Sequence, residues 1–271
     1  MPETVHNTAV HVEGLRFRSL PEDTRGARAP ASGFILAGTL FVPAGADYKK
    51  SAPLPGLVVG HGAGSNRNRH EEFCRTACGK GMAVMALDMR GHGESGGEAD
   101  GPLHRDIVAA VEVLRSHPLV DPNRIGYRGS SMGGYYGLAA ALSARFAAMA
   151  LLCPANERIL IHALNNPPPA EELLARGLEA RFNVQKFRSY LQNMEILDEA
   201  ADIDTPTLLV HARQDTVVPL RVTLELAERL GGDTEVFILN GGDHSTAQSD
   251  PLIHQRVSGW LIERLLGDAR A

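Results

Sequence analysis

The stretch "LPGLVVGHG", residues 54–62, is a short apolar run that stops on glycine. Such a run suits a strand covered on both faces, which requires a parallel sheet between helical layers. The pattern recurs. "MAVMALDM", "RIGYRGS", "AAMALLCP", "TPTLLVHAR" and "TEVFILNGG" read as strands, and each is separated from the next by a helical or polar segment. In "RDIVAAVEVLRSH" the stripe Ile107, Val108, Val111 and Leu114 marks a helix, and "MGGYYGLAAALSA" is a second. Leu220, Leu224, Ala227 and Leu230 mark another, and Ile253, Val257, Leu261 and Leu265 mark the closing one. Ahead of all this, "VHVEGLRFRSL" and "GFILAGTLFVP" read as extended segments joined by the polar "PEDTRGARAPAS". Alternation of this kind specifies an α/β fold, a mostly parallel doubly wound sheet with helices on both faces.

One segment departs from the rhythm. Residues 155–201 contain no strand signal, and a structureless loop of that length is improbable inside a domain. Stripes of Leu174, Leu178 and Phe182, then Phe187, Leu191 and Met194, make it a small helical cap inserted after the sixth strand. The whole chain, 1–271, reads as a single domain carrying that cap.

Composition excludes several function classes. With 44% apolar and 22% charged residues the chain is globular, and a net charge of −5 gives no electrostatic case for nucleic acid. No run is long enough to span a membrane, and "MPETVHNTAVHVEGLRF" lacks the features of a secretory signal. Cys74, Cys78 and Cys153 suit a reducing compartment, so a cytoplasmic location is expected. Cys74 and Cys78 share a helix face but are too few for a metal site, and no metal or cofactor is expected.

Chemistry concentrates at "GSSMGG", residues 129–134, which fits the G-x-S-x-G nucleophile elbow. A strand runs into it and an Ala-rich helix runs out, so the central serine is forced into a strained conformation at the apex. That serine is Ser131; Ser130 is expected to point aside and hydrogen-bond locally. A serine hydroxyl needs a histidine base, and the base needs a carboxylate to hold its tautomer. Asp215 follows the strand "TLLVHA" and His244 follows "TEVFIL", giving the chain order Ser131, Asp215, His244. All three sit at carboxyl ends of strands, where open α/β sheets place their sites. Among competitors, Asp204 precedes its strand, Asp243 is directed elsewhere, and Asp198 and Asp202 belong to the cap region. His211 within a strand and His254 within the last helix are expected to be packing or surface residues. The oxyanion of an acyl transfer needs two amide donors. One is Met132, after the nucleophile; the other is expected from the "HGAG" loop, whose His61 orders the loop.

These residues carry a resemblance. "HGAG" at 61–64, "DMRGHGES" at 88–95, "GSSMGG", Asp215 and His244 resemble the α/β-hydrolase superfamily along nearly the whole chain. The branch most similar holds serine aminopeptidase-like hydrolases, monoacylglycerol lipases, cinnamoyl and feruloyl esterases, and dienelactone-hydrolase-like enzymes. The resemblance implies that Ala63 and Met132 supply the oxyanion amides, and that Asp88, Arg90 and His92 are mainly structural. It also implies a serine hydrolase acting on a small-molecule carboxylic ester through an acyl-enzyme. The alternatives are an aminopeptidase- or prolyl-oligopeptidase-like peptidase, or a thioesterase, acyltransferase or lyase on the same triad. A peptidase would need a device for the substrate's amino terminus, and Glu157, Glu171, Glu172 and Glu179 are the acidic residues of the cap.

Overall fold

The computed structural model describes residues 9–20, 33–47, 52–167, 169, 171–172, 177 and 179–267. Eight strands form one sheet in the order β1-β2-β4-β3-β5-β6-β7-β8. They are β1 (Val10–Arg18), β2 (Ile35–Pro43), β3 (Leu54–Gly60), β4 (Ala83–Asp88), β5 (Val120–Ser130), β6 (Ala148–Leu152), β7 (Thr207–Ala212) and β8 (Thr234–Leu239). β2 runs antiparallel to both β1 and β4, and every other pairing is parallel. The connection "PEDTRGARAPAS" lies outside the described residues.

Successive residues of a strand face opposite sides, so each central strand feeds two cores. Val58, Met85, Tyr127, Leu151 and Leu209 face one core, closed by α2 (His104–Arg115), α3 (Met132–Ala144) and α6 (Leu220–Arg229). Val59, Val84, Ala150 and Leu208 face the other, closed by α1 (Glu71–Gly79) and α7 (Pro251–Leu266). Burying one such Val, Leu or Met stabilises the fold by about 1.5–3 kcal/mol. α7 buries the expected stripe of Ile253, Val257, Leu261 and Leu265. α6 does not follow its sequence stripe: it buries Val222, Thr223 and Leu226, while Leu224 is 40% exposed. The helix starts after Pro219, and His211 on β7 bonds Thr223, which sets the rotation that hydrophobic spacing alone misassigns.

After β6 come α4 (Glu157–Asn165) and α5 (Val184–Gln192), each capped by an asparagine whose side chain accepts an amide, Asn156 from Ile159 and Asn183 from Lys186. Two short helical turns, Ile196–Glu199 and Ala200–Asp202, lead into β7. Leu160, Phe187 and Leu191 are buried against the domain, so they pack the inserted segment down; Leu174 and Leu178 lie outside the described residues. Residues 179–183 form a strap across the loops after β3 and β4. Glu179 N–H donates to Gly64 O (2.8 Å), Arg181 N–H to Gly91 O (2.7 Å), and Ala99 N–H to Arg181 O (2.7 Å).

The chain passes from β3 outward to β4, then returns across β3 to β5 on its other side. The crevice at this reversal lies at the carboxyl ends of the strands. Of the described helices, none is long and apolar enough to cross a membrane.

Candidate active site

Ser131 sits between the end of β5 and the first residue of α3, with φ 51° and ψ −114°. A non-glycine residue held there stores on the order of 1–3 kcal/mol of strain. Its amide donates to Leu152 O (2.9 Å), and its carbonyl accepts from Tyr135 N–H (3.1 Å) and Ala155 N–H (3.2 Å). Gly133 allows α3 to start this close to the loop after β3: a Cβ there would lie 2.6 Å from His61 O and 2.7 Å from Gly60 O. A Cβ on Gly62 would touch Ser131 Cβ at 3.4 Å, so the Gly62–Ala63 turn stands directly against the serine. Ala63 is exposed at that turn, and Met132 opens α3 with its side chain buried.

Ser130 departs from expectation. It is fully buried and its Oγ finds no hydrogen-bond partner among the described residues. Alternation along β5 turns it into the interior, where packing rather than a polar partner surrounds it.

Asp215 and His244 are brought together. His244 Nδ1 donates to Asp215 Oδ2 at 2.7 Å, while Asp215 Oδ1 accepts from Val217 N–H (2.8 Å) and Val218 N–H (2.9 Å). The carboxylate side chain is buried and the imidazole side chain is 17% exposed. With Nδ1–H committed to Asp215, Nε2 is the nitrogen left to accept a proton. Burial pushes the Asp215 carboxyl up, but the His244 hydrogen bond, its charge and the Val218 amide outweigh this and hold it below the ordinary carboxylate value. The loops step across the sheet toward this pair: Ser131 N–H bonds Leu152 O, Cys153 N–H bonds Val210 O (2.8 Å), and Arg213 N–H bonds Leu239 O (2.9 Å).

The competing carboxylates lie elsewhere in their contacts. Asp243 Oδ1 accepts from the amide and hydroxyl of Thr246, both at 2.9 Å. Asp204 meets Gly231 and Gly232 at the opposite end of β7.

Two neighbours of Asp215 escaped sequence reasoning. His211 is a packed histidine, yet its Nε2 lies 3.6 Å from Asp215 Oδ2 while bonding Val218 O (2.9 Å); Thr223 Oγ1 donates to its Nδ1 (2.7 Å). Burial lowers its basicity, so it is a neutral brace for the Asp215 loop. Cys153 is buried at φ 45°, and its thiol, the Asp215 carboxylate and the His244 imidazole offer ligand atoms within 4.8 Å of one another. A soft cation would enter that trio only by breaking the Asp215–His244 bond. Burial, with the charge of Asp215, raises the thiol, so it stays protonated.

The remaining motif residues brace the loops. His61 Nδ1 donates to Gly62 O (2.8 Å), and Met89 N–H donates to His61 Nε2 (3.0 Å). Asp88 accepts from Arg67 N–H (2.7 Å) and Glu94 N–H (2.9 Å) and pairs with the Arg67 guanidinium. Arg90 forks onto Asp106, with Nη2–Oδ1 at 2.8 Å, and His92 Nδ1 donates to Arg90 O (3.1 Å).

Burial lowers the His61 imidazole to about 4 and the His92 imidazole to about 3. Both fold neutral, whereas the unfolded chain protonates them near pH 6.5. Between pH 6.5 and about 4 the unfolded state therefore binds more protons, and stability falls as pH falls. Lowering pH from 7 to 5 should remove about 2 kcal/mol per histidine, measured by urea unfolding. A flat stability profile across that window would contradict the assignment.

A strained serine where a strand turns into a helix, on a sheet of this order, defines the class: an α/β-hydrolase. The particular family follows from sequence similarity, and the chain belongs to the prolyl oligopeptidase family, whose profile matches residues 72–267. Palmitoyl-protein thioesterase ABHD10, mitochondrial, from Homo sapiens is 26% identical over 223 residues, 73% of this chain and 69% of its own length. An uncharacterised protein from Mycobacterium tuberculosis is 23% identical over 256 residues, 88% of this chain and 84% of its own. Est1E from Butyrivibrio proteoclasticus, solved with ferulic acid bound, has the same fold: TM-score 0.69 at 20% identity, covering 88% of this chain and 98% of that one. The chain is thus a hydrolase of the class that includes esterases, peptidases and thioesterases.

Proposed function

We propose that the protein is a serine hydrolase that cleaves a carboxylic ester, with Ser131 as nucleophile, His244 as base and Asp215 as its orienting carboxylate. The observation that carries this reading is the 2.7 Å Asp215–His244 bond, at the same carboxyl-terminal end of the parallel strands as a serine at φ 51°. His244 Nε2 takes the Ser131 proton as Oγ bonds to the acyl carbon. The amides of Ala63 and Met132 receive the oxyanion, and the Gly62–Ala63 turn against Ser131 supports that pairing. His244 then protonates the leaving alcohol. Water, deprotonated by His244, resolves the acyl-enzyme and frees the acid. No metal or organic cofactor enters these steps.

A thioester is the second reading, favoured by the likeness to a palmitoyl-protein thioesterase. The chemistry differs only in the leaving group, so product analysis decides between them. Intact-mass labelling with a fluorophosphonate tests the common core. One adduct that survives Ser130→Ala and disappears in Ser131→Ala is expected. A panel of esters, thioesters and aminoacyl amides then ranks the leaving groups, and faster amide turnover would move the assignment to a peptidase.

A further inference from the structure

Arg128 lies on β5, three residues before Ser131, and is completely buried. Its Nη1 donates to His70 Nδ1 (2.7 Å), its Nη2 donates to Gln248 O (2.9 Å), and its guanidinium lies 4.7 Å from the Phe73 ring centroid. Among the described residues no carboxylate receives a hydrogen bond from it, and its Nε has no partner. A buried charge without a counter-charge is destabilising unless hydrogen bonds compensate it, so the acceptors that Arg128 holds matter.

Gln248 lies in the short helical turn Thr246–Ser249 that follows His244, and its Nε2 donates to His244 O (2.9 Å). His254 Nε2 donates to the same Gln248 carbonyl that Arg128 holds (3.1 Å). Apart from the His244–Asp215 bond, the segment's other side-chain bonds are local, such as Thr246 N–H to Asp243 Oδ1 (2.9 Å) and Ser249 Oγ to Ser245 O (2.9 Å). A guanidinium suits the task because its planar fork bridges two acceptors from one rigid strand, which an ammonium does not. His70 must accept from Arg128 and is therefore neutral; burial and the charge of Arg128 hold it well below its ordinary value.

We propose that Arg128 is a positioning residue for the base: it clamps the Gln248 carbonyl and, through the Gln248 side chain, fixes the backbone of His244 relative to the strand that ends in Ser131. The assignment rests on the reading of Ser131 and His244 as nucleophile and base. It makes the nucleophile's own strand the reference for the base, across a sequence separation of 120 residues.

The test uses the full chain with Arg128→Met, Gln248→Ala and the double variant. Hydrogen exchange over 243–250, thermal melting and the rate of Ser131 phosphonylation by a fluorophosphonate are measured. Exchange should quicken and phosphonylation slow by about tenfold or more in each single variant, as expected when a hydrogen bond that sets geometry is lost. The double variant should be no slower than the slower single one, because both act through one link. Thermal melting checks that Arg128→Met folds, since the variant leaves His70 Nδ1 without its donor. Unchanged exchange and phosphonylation in Gln248→Ala overturns the proposal, as does a double variant whose losses multiply. Should Arg128→Met fail to fold, Arg128→Lys replaces it, since an ammonium keeps the charge but cannot bridge His70 and Gln248 O, and unchanged exchange and phosphonylation in it overturn the proposal. A wild type that is not phosphonylated rejects the nucleophile assignment instead, and exchange then decides the link by itself.

Discussion

Ser131→Ala is expected to lower kcat/KM on ester substrates by about 10⁴–10⁶-fold, with KM little changed, because it removes the bond-forming atom while leaving the rest of the site in place. Stability separates this role from a packing role. Ser131 holds φ 51° and ψ −114°, and alanine is no more comfortable there than serine. Glycine reaches positive φ without a steric penalty, though it costs about 0.5–1 kcal/mol in unfolded-chain entropy. Ser131→Gly should therefore be inactive yet more stable than Ser131→Ala by about 1–2 kcal/mol, roughly 2–6 °C in melting temperature. Equal stability of the two variants would mean that the elbow stores no strain, and substantial activity in either would remove Ser131 from the mechanism.

Asp215→Asn should lower kcat by about 10⁴-fold with the fold intact. The substitution preserves shape, but the Asn amide has one acceptor atom where the carboxylate has two. The carboxylate now serves His244 Nδ1–H with Oδ2 and the Val217 and Val218 amides with Oδ1. Either the amide NH₂ faces His244, forcing the imidazole into the wrong tautomer, or it faces two N–H donors. The first outcome abolishes the base; the second loosens the loop after β7. The stability effect has a sign as well. Because the folded carboxyl is held below its unfolded value, its contribution is present above pH ~4 and lost as pH falls through the folded value. Asp215→Asn should therefore show a shallower loss of stability in that acid range than wild type. A variant with near-wild-type turnover would sink the triad assignment while leaving Ser131 in place.

Much of this architecture was readable from local pattern. The apolar run ending on glycine marked β3, the segments "RIGYRGS" and "AAMALLCP" marked β5 and β6, and the stripe of α7 was right at every position. Ser131, Asp215 and His244 could be picked out as candidates because Ser131 directly follows a recognisable strand, the other two lie in the loops after later strands, and their order along the chain is distinctive. His61 was correctly read as a brace of its loop, and its two ring bonds show how it does so. Where reasoning from pattern failed, a distant contact outweighed local periodicity. The Thr223–His211 bond turned Leu224 to solvent, and the alternation of β5 left Ser130 buried without a partner.

The sequence by itself determined what short-range physics dictates: which segments extend, which coil, and where small residues permit a sharp turn at a serine. Only the tertiary structure decided which polar groups meet. The Asp215–His244 bond could be anticipated because both residues lie in loops after the adjacent parallel strands β7 and β8, whereas Cys153 and His211 beside Asp215 could not. The strap of residues 179–183 over two loops and the Arg128–Gln248–His244 link likewise join segments far apart along the chain. Periodicity records which face of an element is apolar. It holds no record of which neighbour that face will meet, so a buried arginine reads as a surface residue until the fold supplies its acceptors.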